Sequence, residues 1–530
     1  MLGKARSKLL PANFVWTYLR HIRQGLKRTT ALTDKTKTTN THHQMLNWKI
    51  IYKIIGSLLW LEATLMSCCL GVSVYLNESD MVPFLLTIII TALAGIAMRY
   101  YGRGANNNLS RKDAYLLVTS TWIVFSLFGM LPFLFGGYID NVTDAFFETI
   151  SGFTTTGATI IDDVEILPHG ILFWRTMTQW IGGLGIVFFT IALLPSLVGS
   201  GNIKVFSAEA TGPIRTKMHP RLSTNSHVIW MVYILLTASC AVAYYMGGMS
   251  LFDCVNYAMT TTATGGFSTH NTSTEFFNSP FIEYTGTLFC FLSGINFTLL
   301  FITVTKLRIR EALRNAELRL YVSTILICTV IIVFYLMRDL GYSFSDSLRY
   351  GLFQVVSFLT STGLFSDDAG KWPHVTWIVL GVCMFIGGCA GSTAGGVKCV
   401  RLVMILKIIR NEFRQILHPN AVLPVRIGDT LIPTSTRMRI LPFISLYLGL
   451  FFVSATFFTA IGIDVINSIT MCLSCLSNVG PTLGVEIGPT MSWSEIPAVS
   501  KWFCSTMMLV GRLEIFSVLV LFTPEFWRNN

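Results

Sequence analysis

The sequence predicts an all-α integral membrane protein: ten transmembrane helices plus four re-entrant helices, with two extra N-terminal spans ahead of a fourfold pseudo-repeat. Three observations carry this. Charged residues are only 13% of 530 and apolar residues 52%, with a mean hydropathy of +0.58; an ordinary globular chain carries about 25% charged residues. So little polar surface cannot cover a soluble molecule of this size, which excludes a cytosolic enzyme, a secreted disulfide scaffold and a disordered chain. Ten apolar runs are long enough to cross a bilayer, and four shorter ones recur between them in a fixed pattern.

Crossing takes about 20 apolar residues. That ruler marks 50–76, 81–99, 114–136, 172–198, 226–247, 282–305, 319–338, 375–409, 438–461 and 501–523. The shorter segments, 144–156, 252–264, 347–362 and 466–478, have the length of re-entrant or buried helices. The chain thus divides into a basic head (1–48), a two-span unit (49–110) and four repeats: 111–200, 225–310, 318–412 and 436–530.

The net charge of +11 gathers in one set of loops. They hold Arg99, Arg103, Arg111 and Lys112; Lys204, Arg215, Lys217 and Arg221; Lys306, Arg308, Arg310, Arg314 and Arg319; and Lys407, Arg410, Arg414, Arg426, Arg437 and Arg439. The opposite loops are acidic, with Glu78, Asp80, Asp140, Asp144, Asp162, Asp163, Glu165, Glu275, Asp367, Asp368 and Glu486. By the positive-inside rule both termini are cytoplasmic and the short segments hang from the external side. The basicity therefore belongs to membrane topology rather than to nucleic-acid binding, and the acidic outer rim attracts cations. Most of the 12 cysteines lie in apolar runs, among them Cys68, Cys69, Cys240, Cys290 and Cys383, and read as small hydrophobes. Cys472 and Cys475 form a C-x-x-C, but no second pair or nearby His completes a zinc set.

After the first two spans the order long span, short segment, long span occurs four times. The short segments end alike: AFFETISGFTTTGAT at Gly157, DCVNYAMTTTATGGFST at Gly265, GLFQVVSFLTSTGLFS at Gly363 and SITMCLSCLSNVGPTLG at Gly480. Each following span carries a glycine 25 to 31 positions on: Gly182, Gly294, Gly388 and Gly511. Non-helical backbone at membrane depth is tolerated only inside protein or against water. Glycine adopts φ > 0 and lets successive carbonyls turn to one side. Four such loops around one axis form rings of carbonyl oxygens able to replace a monovalent cation's hydration shell, with the partly negative ends of the short helices aimed at them. Thr, Ser and Gly also serve plain helix contacts in membranes; four copies in register favour the pore, built by one chain.

On these residues the chain resembles the TrkH/KtrB family of bacterial K⁺ uptake subunits, within the superfamily of K⁺ transporters. The resemblance rests on TTTGAT (154–159), TTATGGFST (261–269), VSFLTSTG (356–363), SNVGPTLG (477–484), WIGGLGIV (180–187), GGCAGSTAGGVK (387–398) and GRLEIFSVLVLF (511–522), and covers about residues 50–530. It implies a selectivity filter for dehydrated K⁺ made by the backbone of Thr155, Thr156 and Gly157; Ala263, Thr264 and Gly265; Ser361, Thr362 and Gly363; and Asn478, Val479 and Gly480. Relatives with serine at the first glycine tend to pass Na⁺, so Gly157 favours K⁺.

Two features bear on gating. The 375–409 run is too long for one straight crossing, and Gly387, Gly388, Gly391, Gly395 and Gly396, with Ser392 and Thr393, should break it. The resemblance makes this stretch, closed by Lys398, an intramembrane loop obstructing the pore. GSTAGGVK also looks like a phosphate loop, but its Lys is one place late and its context is a membrane span. Arg512 is a cation within an apolar span, where charges usually face an interior cavity; pairing with Glu514 or snorkelling is the plainer account, and the resemblance places it in the pore near the gate.

The nine histidines lie in the head, loops or span edges, with no mid-span ligand pair, which disfavours a haem-bearing redox subunit; a membrane assembly protein remains the distant rival. No catalytic set appears, so no enzyme is expected. The head mixes aromatics and bases around Phe14–Arg28 and could lie on the inner membrane surface. The resemblance further implies a bacterial inner-membrane location, a homodimer and a TrkA/KtrA-type cytosolic ring that binds NAD(H), ATP or ADP; no nucleotide fingerprint occurs in this chain, and no cofactor of its own is expected beyond the K⁺ it carries. A Na⁺-permeable or Na⁺/H⁺-coupled transporter of the same fold stays open as the alternative.

Overall fold

The short helices begin on signals written in the sequence. Asn141 accepts from the Asp144 N–H, Ser250 from Asp253, Ser343 from Asp346, and Asp464 from Ile466 and Asn467. Such side-chain caps satisfy amide donors that have no intrahelical partner. In three of the four the Asp in the first turn adds negative charge where the helix dipole is positive.

The computed structural model describes residues 46–105, 109–185, 222–307, 309–421, 423–427, 430–484 and 487–528. Most of the basic head and the 186–221 stretch, with Lys204, Arg215, Lys217 and Arg221, lie outside the described residues, as do Arg308 and Glu486. In chain order the α-helices described are α1 (Trp48–Leu76), α2 (Met81–Tyr101), α3 (Arg111–Gly129), α4 (Leu131–Phe135), α5 (Val142–Phe153), α6 (His169–Leu184), α7 (Leu222–Met246), α8 (Leu251–Ala263), α9 (Pro280–Ser293), α10 (Phe297–Lys306), α11 (Ile309–Arg314), α12 (Ala316–Asp339), α13 (Phe344–Leu359), α14 (His374–Ile386), α15 (Cys399–Leu417), α16 (Thr434–Ala460), α17 (Val465–Ser477), α18 (Ala498–Arg512), α19 (Phe516–Leu519) and α20 (Pro524–Trp527). The strands described are a two-residue antiparallel pair, Arg426–Ile427 with Thr430–Leu431.

Among the described residues six helices are long and apolar enough to cross a bilayer, and two bent pairs raise that to eight. The remaining two of the ten expected runs are 172–198, described only through its first part, and 375–409, which divides into α14 and α15. That division was expected; two others were not. The 282–305 run bends by 103° between α9 and α10, and the 501–523 run by 110° after α18. At the first break Gly294 follows the helix and Asn296 caps α10 by accepting from the Leu299 N–H. At the second, Glu514 and Ile515 both take left-handed backbone, φ 56° and 52°, which no α-helix accommodates.

Packing of the two-helix N-terminal unit rests on close backbone approach. A Cβ on Gly56 would meet the Gly95 carbonyl at 2.7 Å, and one on Gly95 the Gly56 carbonyl at 2.9 Å; small residues at such crossings are a membrane habit. The outer face of α2 leaves Leu85, Leu86, Ile89, Ile90, Leu93 and Ile96 exposed, an apolar surface suited to lipid. The four short helices α5, α8, α13 and α17 are the reverse: their C-terminal halves are buried.

Candidate functional site

Each short helix ends by the same pair of backbone hydrogen bonds. Thr155, Thr264, Ser361 and Asn478 donate their N–H to the residue three back, and Thr156, Gly265, Thr362 and Val479 to the residue five back. The first member of each set is left-handed, φ 53–55°. This is the Schellman type of helix stop, made here without glycine at the left-handed position. Two residues later comes a glycine that is itself left-handed: Gly157, Gly266, Gly363 and Gly480, φ 83°, 88°, 77° and 94°.

The geometry corrects the alignment of the second loop by one residue. Aligned on Gly265, the triplet was Ala263, Thr264 and Gly265. The counterparts of Thr155, Thr156 and Gly157 are Thr264, Gly265 and Gly266, and Ala263 matches Thr154 as the residue at the helix end. With TGG in the chain, only the backbone conformation tells which glycine occupies the turn.

In this register the loops close a circle. A Cβ on Gly157 would strike the Gly265 carbonyl oxygen, one on Gly266 that of Thr362, one on Gly363 that of Val479, and one on Gly480 that of Thr156. Each loop's glycine thus abuts the next loop's carbonyl, and the fourth abuts the first. The twelve residues of the four triplets are buried or nearly so, and side chains tie neighbours together. Asn478 donates from Nδ2 to Thr156 Oγ1 (3.0 Å) and to the Met508 carbonyl (2.9 Å). Hydroxyl pairs brace the first and third loops, Thr154 with Thr156 at 2.8 Å and Thr360 with Thr362 at 2.7 Å.

The glycines of the long spans lie against the ends of the short helices. A Cβ on Gly182 would strike the Phe153 carbonyl, one on Gly511 that of Leu476, and one on Gly294 the Thr360 side chain at 2.6 Å. Gly388 departs from this pattern and packs on Ala394 of its own loop and on the Gly294 carbonyl at the end of α9.

The 387–398 stretch is an irregular loop seated against the same helix ends. Gly387, Gly391, Gly396 and Lys398 have positive φ. Thr393 donates to the carbonyls of Thr262 (3.1 Å) and Ser293 (3.3 Å), and the Gly395 N–H to Ser361 Oγ (2.5 Å). A Cβ on Gly395 would strike the Ser477 carbonyl. Glu317 accepts from the Ala390 N–H (2.6 Å) and Asn296 donates to the Ala390 carbonyl (2.5 Å), while within the loop Ser392 donates to the Cys389 carbonyl (2.6 Å). The buried Lys398 ammonium donates to the Ala394 carbonyl within the loop.

Arg512 meets this loop from α18. Its guanidinium donates to the Thr393 carbonyl (2.8 Å) and to those of Gly182 and Gly183 (2.7 Å each). It therefore turns inward, bridging the loop of the third repeat to the first repeat's second helix, rather than out to a membrane surface. Glu514 pairs with Arg401 of α15 at 2.5 Å. The residues singled out from the sequence thus gather in one place, with Gly266 at the turn where Gly265 was expected and Ala263 at the helix end.

Two buried side chains of α6 escaped the sequence reading, Arg175 and Gln179. A polar residue on either side of one turn, in an otherwise apolar run, was the available signal.

The comparisons agree with this architecture. Residues 81–529 match the sequence profile of the TrkH family, described as cation transport proteins. The chain is 35% identical over 490 residues to the Trk system potassium uptake protein TrkH of Salmonella typhimurium, covering 91% of this chain and 100% of that one. It is 36% identical over 486 residues to TrkH of Halomonas elongata, covering 91% and 99%. The crystal structure of the potassium transporter TrkH from Vibrio parahaemolyticus superposes with a TM-score of 0.82 at 32% identity, over 91% of this chain and all of that one. A profile match over most of the length and relatives spanned end to end leave one conclusion: the chain belongs to the TrkH family of cation transport proteins.

Proposed function

We propose that the chain is the K⁺-translocating subunit of a Trk-type uptake system in a bacterial inner membrane. The single observation that carries this reading is the closed circle of glycine-to-carbonyl contacts through Gly157, Gly266, Gly363 and Gly480. It supports a reading in which main-chain oxygens of four quasi-equivalent loops surround one cation and replace its water shell. The filter is formed by Thr155, Thr156 and Gly157; Thr264, Gly265 and Gly266; Ser361, Thr362 and Gly363; and Asn478, Val479 and Gly480. The short helices α5, α8, α13 and α17 are re-entrant, and their negative ends support the ion. Broken runs count as crossings, which makes ten, with both termini cytoplasmic as loop charge requires.

The 387–398 loop and Arg512 form the gate. The loop lies on the helix-end side of the circle, and the Arg512 charge repels a passing cation while its carbonyl bonds hold the loop in place. The relatives' names supply K⁺ as cargo and a Trk system as setting. A homodimer and a nucleotide-binding TrkA/KtrA-type ring complete the proposed assembly.

The test is growth of a K⁺-uptake-deficient bacterium at low K⁺, followed by reversal potentials in liposomes with K⁺ and Na⁺ varied. Rescue that K⁺ selectivity accompanies supports the reading. Rescue unaffected by joint Gly157→Ser and Gly480→Ser changes would falsify the filter assignment, and equal K⁺ and Na⁺ permeability would favour the Na⁺-passing alternative.

A further inference from the structure

The four loops are not built alike at the residue before the turning glycine. Three carry a side chain there, Thr156, Thr362 and Val479; the second has Gly265. Its backbone does not demand glycine, since Gly265 is absent from the positive-φ positions where Gly266 stands. Space demands it. A Cβ at 265 would strike the carboxamide carbon and oxygen of Gln179 and come within 2.9 Å of that residue's own Cβ.

Gln179 projects from α6 of the first repeat, wholly buried, and uses both ends of its carboxamide. Nε2 donates to the Gly265 carbonyl at 2.7 Å. Oε1 accepts from Thr260 Oγ1 at 2.6 Å and from the Phe267 N–H at 3.1 Å. One side chain thus grips the second loop before, at and after its turn. Among the described residues the carbonyls of Thr156, Thr362 and Val479 receive no such donor.

We propose that Gln179 is a specificity-determining positioning residue: lodged where Gly265 has no side chain, it fixes the orientation of the 265–266 peptide and so the size of the ring that a dehydrated K⁺ fits. This rests on the pore reading above. A loop free to rotate its peptide contracts around a smaller ion, so loss of the clamp admits Na⁺.

The full-length protein reconstituted in liposomes tests this under K⁺/Na⁺ bi-ionic conditions. With Gln179→Leu the Na⁺-to-K⁺ permeability ratio rises about fivefold, the worth of one neutral hydrogen bond. Gln179→Met, which keeps the length of the side chain but has no donor to offer the Gly265 carbonyl, shifts it the same way. The steric half is read without transport, from melting of the purified protein. Gly265→Ala lowers the melting temperature in the native background and lowers it much less when combined with Gln179→Ala. A conducting, monodisperse Gln179→Leu or Gln179→Met protein with an unchanged ratio overturns the proposal. So does Gly265→Ala costing the same in both backgrounds. A native protein that passes no K⁺ sinks the pore reading instead, and the melting cycle still decides whether Gln179 occupies the Gly265 space.

Discussion

Arg175 and Glu148 form an ion pair of 2.9 Å in which the side chains are only 2% and 1% exposed. Neither charge is left with a single partner. Glu148 also accepts from Thr159 Oγ1 and the Ile160 N–H, each at 3.0 Å. Arg175 donates to the Ser268 carbonyl and to Thr159 Oγ1, each at 3.2 Å, and lies 4.3 Å from the centre of the Phe267 ring. The pair therefore ties α5 and α6 to the chain leaving both the first and second loops.

Breaking one side of such a pair strands a buried charge. Arg175→Met should destabilise the protein by about 3–5 kcal/mol, while the double change with Glu148→Gln should cost less, because no ion is then left alone. Melting of purified protein in detergent for the two singles and the double checks this; equal losses in all three would make the pair a bystander.

Arg512→Ala removes a cation that holds three carbonyl oxygens, two on α6 and one at Thr393. Both consequences favour flux: the repulsion is gone and the 393 backbone is released. Unitary or tracer K⁺ flux should rise severalfold with selectivity kept, since none of the four triplets is touched. Unchanged rates would count against a gating role.

Gly395 offers a steric route to the same end. Its φ is not left-handed, so alanine is conformationally admissible there, but the added methyl would strike the Ser477 carbonyl. Seated contact between loop and helix end becomes impossible, and Gly395→Ala should raise basal K⁺ flux. Gly391→Ala, which has φ 76° and would crowd Asn296, should instead lower expression by straining the loop itself.

Much of this was legible in advance because membrane depth restricts what a sequence can do. The repeat showed through the spacing of Gly157, Gly363 and Gly480, and the break in 375–409 through its glycines. Two things were hidden. Whether Gly265 or Gly266 turns the second loop depends on φ and on the Gln179 side chain, which spacing does not encode. The breaks after Ser293 and Arg512 lie in runs whose hydropathy continues across them; there the helix yields to caps and contacts from other repeats, such as the Asn296 bond to Ala390, that hydropathy does not reveal.

His270 gives a pH dependence on the acidic side of the molecule. Its imidazole lies 3.3 Å from Glu165 and 3.6 Å from Asp253 and stacks on Phe276 with ring centres 3.5 Å apart. Burial pushes its pKa down, but the hydrogen bond and charge of Asp253, then those of Glu165, outweigh this and leave it above the ordinary value. A raised folded-state pKa means the charged form is the one that stabilises. The contribution is complete below the unfolded value of about 6.5 and disappears as pH climbs through the higher folded value. The native protein should therefore lose melting temperature as pH rises above about 6.5 by more than His270→Gln does. High salt should narrow the difference in part, since Glu165 is 45% exposed while Asp253, 15% exposed, is screened less. A parallel decline in both proteins would mean that some other group sets the pH response.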